Sequence, residues 1–489
     1  MYTEQTGKRN LTMLADFYEF TMANGYLENG MGDREVVFDM FFRRIPDGGG
    51  FAIFAGLEQL VDYLKSLKFT QEDIAYFRSK GIFSEAFIHY LESFSFSCDV
   101  WSIREGTPIF PNEPIVTVKG PLMQAQMIET MLLLSINYQT LIATKSNRIV
   151  RAAQGRAVVE FGSRRAQSYD AAVLGARAAY IAGCAGTACA IVDRDFGIPA
   201  SGTMAHSWVQ VFDSEYEAFK AYANAYPENC TLLVDTYNVV KSGIPNAIKV
   251  FNEVIVPKGL RPKSVRIDSG DLAYLSKRAR KLLDEAGFSD VTIMASNSLD
   301  EYIVRDLLQQ GAQLDAFGVG ENLITSKSEP VFGGVYKLAA AADKDGALHP
   351  KIKISESLEK ITVPGFKELY RLYSRDNGKA IADYITLRGE ELDDSTDMTI
   401  FDPAAIWKRK RVYNYRAEKL MVQVFDRGQL CYECPSITEL REFCARQVDT
   451  LWEESTRFEF PHRYYVDLSQ KLWDEKQQLL VKLGDDIGG

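Results

Sequence analysis

The sequence predicts an α/β fold in which a parallel sheet follows a smaller α+β module, and three observations carry this. From about residue 123 to 338, short β-branched runs alternate with helical patterns, as βα units require. Nearly every one of those runs ends in polar or glycine residues, which is where parallel α/β folds build their sites. The chain has 489 residues, too many for one ordinary core, so two or three domains are expected.

The elements follow in order. Leu11 to Asn29 reads as a helix with Asp16 near its start and Gly30 as its stop. Tyr18 and Tyr26 lie eight residues apart on it, nearly on one face. A strand Val36–Phe42 and a turn at Gly48-Gly49-Gly50 precede a helix from Ala55 to Leu67 with apolar residues at helical spacing. Between Trp101 and Pro121, four prolines interrupt short β-type runs such as Ile115–Val118, which suits edge strands.

A long helix from about Met123 leads into the parallel region. Its expected strands are Ala157–Phe161, Ala188–Val192, Thr203–His206, Leu232–Asp235, Val265–Asp268, Val291–Met294, Ala316–Gly318 and Val335–Leu338. The gap between the second and third is too short for a full helix, so an irregular barrel or sheet is expected. Beyond it, Asp343-Lys344-Asp345-Gly346 reads as a hairpin turn, and Lys351–Ser355, Lys360–Lys367 and Leu369–Tyr373 read as further β structure able to pair with the N-terminal module. From Ser436 onward the pattern is helical and charged. The expected domains are 1–122 joined by 341–430, 123–340 carrying the site, and a helical extension 431–489.

Composition narrows the function. With 46% hydrophobic and 25% charged residues the chain is an ordinary globular one. The excess of 66 acidic over 56 basic residues argues against nucleic acid or an anionic membrane as main partner. A local basic cluster can still hold an anionic substrate. Met1 to Asn10 lacks the apolar core of a signal peptide, and the apolar run Met131–Leu134 is far too short to span a bilayer. Seven unevenly spread cysteines read as reduced thiols, so a cytoplasmic location is expected.

His206, one of only four histidines, lies in Ser201-Gly202-Thr203-Met204-Ala205-His206-Ser207. An imidazole titrates near neutrality and can act as nucleophile or proton carrier. A lone histidine beside apolar residues is more often structural, and only the company of the other strand ends favours a site. In Glu160-Phe161-Gly162-Ser163-Arg164-Arg165 an aromatic face adjoins two guanidinium groups, able to stack on a planar ring and to grip carboxylate or phosphate. In Arg266-Ile267-Asp268-Ser269-Gly270-Asp271, Asp268 and Asp271 can orient a divalent cation or hold sugar hydroxyls. Asp271 reads equally well as the N-cap of the helix Leu272 to Ala286. Ser296-Asn297 and Gly318-Val319-Gly320 offer backbone N–H groups for a phosphate. The run Lys277–Lys281 is a solvated helix face, and Cys431, Cys434 and Cys444 lack a fourth ligand at zinc spacing, so free or buried thiols are expected. These residues alone describe an enzyme for a sugar phosphate and a planar partner.

The chain closely resembles the nicotinate phosphoribosyltransferase family of bacterial type over most of residues 8 to 375, less so in the last hundred. The resemblance rests on Leu14-Ala15-Asp16-Phe17-Tyr18, the Glu160 to Arg165 segment, Gly202 to Ser207, Arg266 to Asp271, Phe317 to Gly320, and Lys353-Ile354-Ser355 through Pro364-Gly365. It implies an irregular α/β barrel beside an α+β domain assembled from both ends of the chain, and a homodimer. It implies transfer of phosphoribosyl from phosphoribosyl pyrophosphate to nicotinate, coupled to ATP hydrolysis, with Mg²⁺ accompanying the pyrophosphate.

By position, His206 matches the histidine that ATP phosphorylates, and Asp268 the residue that holds the ribose. Phe161 and, from the second subunit, Tyr18 would stack on the pyridine ring, with Thr203 also on the nicotinate side. Arg164 and Arg266 would meet the nicotinate carboxylate or the 5′-phosphate. Ser296, Asn297, Gly318, Val319 and Gly320 would cradle the phosphate, and Asp268 with Asp271 would face the metal. The related nicotinamide-using enzyme carries an aspartate after the corresponding Gly-Thr, where this chain has Ala188 after Gly186-Thr187. An acid there would repel a carboxylate, so its absence fits nicotinate. The alternatives are the nicotinamide-using enzyme and a catalytically idle homologue serving as a binding protein.

Overall fold

Six parallel strands organise the middle of the chain in this computed structural model, which describes residues 10–357 and 360–488. Their order across the sheet is Gly186–Thr187, Ala157–Glu160, Ala316–Val319, Thr292–Ser296, Ser264–Ile267 and Thr231–Leu233. All five pairings are parallel. Helices connect them, among them Tyr169–Ile181, Glu215–Ala225, Leu272–Glu285 and Glu301–Gln309. The mixed α/β class with a parallel sheet is therefore present. This unit comprises residues 145–330, and the described residues on either side form a second unit.

Three expected strands need correction. Ala188–Val192 is not a strand: pairing stops at Thr187, whose Oγ1 accepts from Cys189 N–H at 3.1 Å and turns the chain into the helix Ala190–Phe196. Thr203–His206 is not a strand either. The chain makes one parallel bridge at Ala200, through Thr187 N–H to Pro199 O (3.1 Å) and Ser201 N–H to Thr187 O (2.8 Å), and His206 then opens the helix His206–Val211. The polar Ser201-Gly202-Thr203 run has no alternating apolar face to hold it in a sheet. Val335–Leu338 is a strand, but it belongs to Gly334–Ala342, which pairs antiparallel with Glu35–Phe42 in the other unit. Tyr336 stacks there on Phe38 at 4.8 Å.

The second unit is built on a seven-stranded antiparallel sheet ordered Leu348–Pro350, Gly334–Ala342, Glu35–Phe42, Val116–Pro121, Asp99–Ile103, Met421–Asp426 and Gln429–Leu430. A four-stranded sheet (Tyr415–Lys419, Lys367–Ser374, Ala380–Leu387, Val466–Leu468) completes it. Segments from both ends of the sequence thus share one unit. The last stretch is not purely helical, since Val466–Leu468 adds a parallel strand between the helices Ile437–Asp449 and Gln470–Gly488. Residues 123–144, grouped by the sequence with the barrel, lie within this second unit; the apolar Leu122–Met127 helix packs on helix Phe17–Glu28. Lys351–Ser355 forms no regular strand, and residues 1–9 and Leu358-Glu359 of the segment Lys353 to Gly365 lie outside the described residues. Among the described residues no helix is long and apolar enough to cross a membrane.

Two buried ion pairs tie the N- and C-terminal segments of this unit together. Lys367 Nζ lies 2.6 Å from Asp39, and Asp39 also accepts from Thr117 Oγ1 at 2.6 Å. Arg371 grips Asp383 with two N–H groups (2.7 and 2.6 Å) and donates to Pro108 O at 2.8 Å. Both members of this pair are fully buried. Removing one partner strands an uncompensated charge in a low dielectric. Arg371→Met should therefore lower unfolding free energy by about 3–5 kcal/mol, as read by equilibrium urea denaturation.

Candidate active site

The centre of the site is assembled at the carboxyl ends of four neighbouring parallel strands. Phe161 continues the strand Ala157–Glu160 by one bond, its N–H donating to Val319 O at 2.8 Å. Its ring lies directly over Gly318. A Cβ on Gly318 would stand 2.4 Å from a Phe161 ring atom, so only glycine leaves room for the aromatic face. Above the ring, the Arg266 guanidinium carbon sits 5.4 Å from its centroid, in cation–π range.

Arg266 spends its donors inside the site. Nε donates to Ser296 Oγ (2.8 Å), Nη1 to Thr203 Oγ1 (3.0 Å) and Nη2 to Asp268 Oδ1 (2.9 Å). The Ser296 hydroxyl in turn donates to Asp268 Oδ1. Asp268 is fixed from behind by Asp235, whose Oδ2 accepts from Asp268 N–H (2.9 Å) and from Ser269 Oγ (2.6 Å). Asp235 Oδ1 is buried without a hydrogen bond.

Asp268 Oδ2 faces His206 Nε2 at 3.7 Å, while His206 Nδ1 lies 3.1 Å from Thr236 Oγ1. The imidazole is thereby held at one nitrogen by a hydroxyl and at the other by a carboxylate. Its side chain is 40% exposed, open to a solute. Thr236 has no role in the sequence reading and Asp235 stands there only as the polar end of an expected strand; the strand closes at Leu233 and both follow within three residues. That position was the available signal.

Glu160 is the other unassigned residue. It is buried, and its carboxylate accepts from Gly162 N–H and from Thr187 Oγ1 (2.7 Å), while its own C=O accepts from Ala188 N–H at 2.8 Å. Burial pushes its carboxyl up from the ordinary range, partly offset by the Thr187 and Gly162 hydrogen bonds. The side chain clamps the Phe161-Gly162 turn to the adjoining strand end.

The remaining expected residues are more dispersed. Asn297 (φ 94°) and Ser298 (φ 49°) both occupy left-handed backbone just after Ser296, a strain that side chains rarely carry outside sites. Asn322 pins this corner by donating to Ser298 O (2.9 Å). Gly320 precedes the short helix Glu321–Ile324. Arg164 is exposed within the turn Ser163–Arg165. Asp271 Oδ1 accepts from Tyr274 N–H at 2.9 Å and caps the helix Leu272–Glu285, the plainer of its two readings. Tyr18 belongs to the other unit, on the helix Phe17–Glu28, 44% exposed; burial and the nearby Glu129 carboxylate raise its phenol. None of the seven cysteines is in a disulfide. Among the described residues no three His, Cys, Asp or Glu side chains gather as a metal site on their own.

Gly318→Ala should force the Phe161 ring off its seat, costing about 1–3 kcal/mol of stability by overpacking. Thermal or denaturant unfolding reads the loss, and a crystal structure of the variant would show the ring displaced.

Comparison with known proteins agrees with this geometry. The nicotinate phosphoribosyltransferase (NAPRTase) N-terminal domain model matches residues 13–137, the family model 157–360 and the C-terminal domain model 366–476. The nicotinate phosphoribosyltransferase of Bacillus subtilis is 44% identical over 98% of this chain and 97% of its own. Nicotinate phosphoribosyltransferase pncB2 of Mycobacterium tuberculosis is 37% identical over 96% and 93%. The crystal structure of human nicotinic acid phosphoribosyltransferase superposes with a TM-score of 0.83 at 28% identity, covering 95% of this chain and 99% of that one. With its strand-end arginine and aspartate facing a histidine at a helix start, and with nearly its whole length matched, this chain belongs to the nicotinate phosphoribosyltransferase family.

Proposed function

We propose that this protein transfers phosphoribosyl from phosphoribosyl pyrophosphate to nicotinate, giving nicotinate mononucleotide and pyrophosphate, in NAD biosynthesis by salvage of nicotinate. The observation that carries the reading is the hydrogen-bonded network of Arg266, Asp268 and Ser296, with the Phe161 ring against the guanidinium, beside an open His206. The pyridine ring stacks on Phe161, with Tyr18 of a second copy closing its other face in a homodimer. The pyridine nitrogen lone pair forms the new bond at the anomeric carbon as the C–O bond to pyrophosphate breaks, and pyrophosphate leaves with that electron pair. Charge develops on the ribose, so the work of the side chains is to align three groups and to face positive character with a carboxylate. Asp268 does this, locked by Arg266 on one oxygen and by Asp235 on its backbone.

Because Arg266 is already committed to Thr203, Ser296 and Asp268, the exposed Arg164 is the better partner for the nicotinate carboxylate. Ala188, where the nicotinamide-using enzyme carries an aspartate, adds no second carboxylate to that of Glu160 at this turn. Asn297 and the Gly318-Val319-Gly320 backbone receive the 5′-phosphate. Mg²⁺ would suit the donors present, since Asp268, and Asp235 with its buried oxygen that lacks a hydrogen bond, would supply hard oxygens. It would neutralise charge on the pyrophosphate. Asp271, engaged as a helix cap, is the weaker candidate.

ATP serves as co-substrate. Its terminal phosphoryl group passes to an imidazole nitrogen of His206, releasing ADP, and water later takes it as phosphate. The exposed ring, steadied by Thr236, supports this role.

Turnover with each pyridine and phosphoribosyl pyrophosphate, with and without ATP, tests the reading: nicotinate should be used and stimulated by ATP. Nicotinamide turning over better would refute the choice of substrate. His206→Asn should lose ATP hydrolysis and ATP stimulation while keeping some ATP-independent synthesis, and ATP hydrolysis surviving in that variant would remove His206 from the role.

A further inference from the structure

A second cavity, of about 720 Å³, lies wholly within the unit formed by the two ends of the chain and shares no residue with the site above. That volume suits a small organic ligand, since such pockets run from about 300 to 1,000 Å³. The Gly48-Gly49-Gly50 turn forms one wall, drawn in tightly because Gly50 packs against Ser455 O, where a Cβ would stand 1.9 Å away. At the base, Phe110 and Tyr464 stack at 3.8 Å and 11°. The plate is rigid: Asp383 accepts from the Tyr464 hydroxyl at 3.0 Å, and the Arg371 guanidinium lies 5.5 Å from the Phe110 ring. Apolar side chains, Ile45, Ile361 and Leu480 among them, make up most of the rest.

Its charge is unlike that of the protein as a whole. Its lining includes four basic side chains, Arg43, Arg44, Arg463 and Lys476, and one carboxylate, Asp402, in a chain of net charge −10. Asp402 lies 3.9 Å from Arg463 and also accepts from Ala404 N–H at 2.9 Å. Burial and Asp402 push the carboxyl of the adjoining Asp467 up to about 7, against the pull of Arg463 and Lys410. Lys476 is half-buried with no hydrogen-bond or ion-pair partner among the described residues, and burial together with the Lys367 ammonium pushes it below the usual lysine range. A buried ammonium in that state gains from an incoming anion. Guanidinium forks favour phosphate or carboxylate, and several of them around one mouth favour the higher charge of phosphate.

We infer that this cavity binds an organic phosphate with a planar body, of nucleoside diphosphate size, its phosphates at Arg44, Arg463 and Lys476 and its ring over the apolar floor. Such a ligand would act at a place other than the transfer site.

Calorimetric titration of the full-length protein with ADP, adenosine and inorganic pyrophosphate tests this. ADP should bind in a class of sites that Lys476→Gln and Arg463→Gln each weaken at least tenfold, with melting temperature and nicotinate turnover without added ADP unchanged. Arg463 is 80% exposed, so its substitution leaves the fold intact. Adenosine should fail to fill that class, and pyrophosphate should bind it at least tenfold more weakly than ADP. ADP binding untouched by both substitutions would overturn the inference. So would pyrophosphate binding as tightly as ADP, which would leave a bare anion site. ADP sites around His206 are the class insensitive to both variants, so their absence speaks against the role of His206 and not against this cavity.

Discussion

The Arg266 guanidinium is the interaction on which the rest of the site depends. Its three donor directions reach three separate segments, at Thr203, Ser296 and Asp268, and its flat face covers Phe161. A planar fork with fixed angles does this where an ammonium would not, because it sets direction as well as charge. Side chains from three strand ends and the Thr203 loop are thereby held to one geometry. The Asp268 carboxylate, proposed to face a developing positive charge, is oriented without any substrate, which is where electrostatic catalysis gains most.

A second set of contacts keeps that arrangement from drifting. Glu160 is buried and acts through its neighbours, binding the Gly162 N–H and the Thr187 hydroxyl at once. Its raised carboxyl shows that burial is only partly repaid, a cost accepted at a place where position matters. Gly318 contributes by absence, since any side chain there would occupy the seat of the Phe161 ring. In the other unit the buried Lys367–Asp39 pair, and Arg371 through its bond to Pro108 O, play a comparable part for the fold, joining segments more than two hundred residues apart in sequence.

Much of this was legible in the sequence, and the failures have physical causes. Four of the six parallel strands follow from β-branched runs that bury both faces, and Thr231–Leu233 lies within a residue or two of its expected place. Gly186–Thr187 was missed because two residues carry no periodicity, and a hydroxyl turn ends them. Val335–Leu338 had the right conformation but the wrong sheet, because periodicity does not say which partner a strand chooses. Arg266, Asp268, Phe161 and His206 stood out by type and by position after strands. Asp235, Thr236 and Glu160 did not, because their importance lies in whom they hydrogen-bond, which only the folded chain decides. Asp271 was ambiguous in sequence for the reason that acids both bind cations and cap helices. The basic cavity, drawn from residues scattered between 43 and 480, has no sequence signature at all.

Arg266→Lys tests the dependence of the site on that one side chain most directly, because it keeps the charge and removes the fork. Steady-state kinetics with nicotinate and phosphoribosyl pyrophosphate, alongside thermal unfolding, provide the measurement. The expected result is a fall in kcat/KM of about 100-fold, equivalent to roughly 2.7 kcal/mol of transition-state stabilisation, with the melting temperature little changed. A variant within twofold of the parent enzyme would contradict it, since the ammonium cannot hold Thr203, Ser296 and Asp268 together.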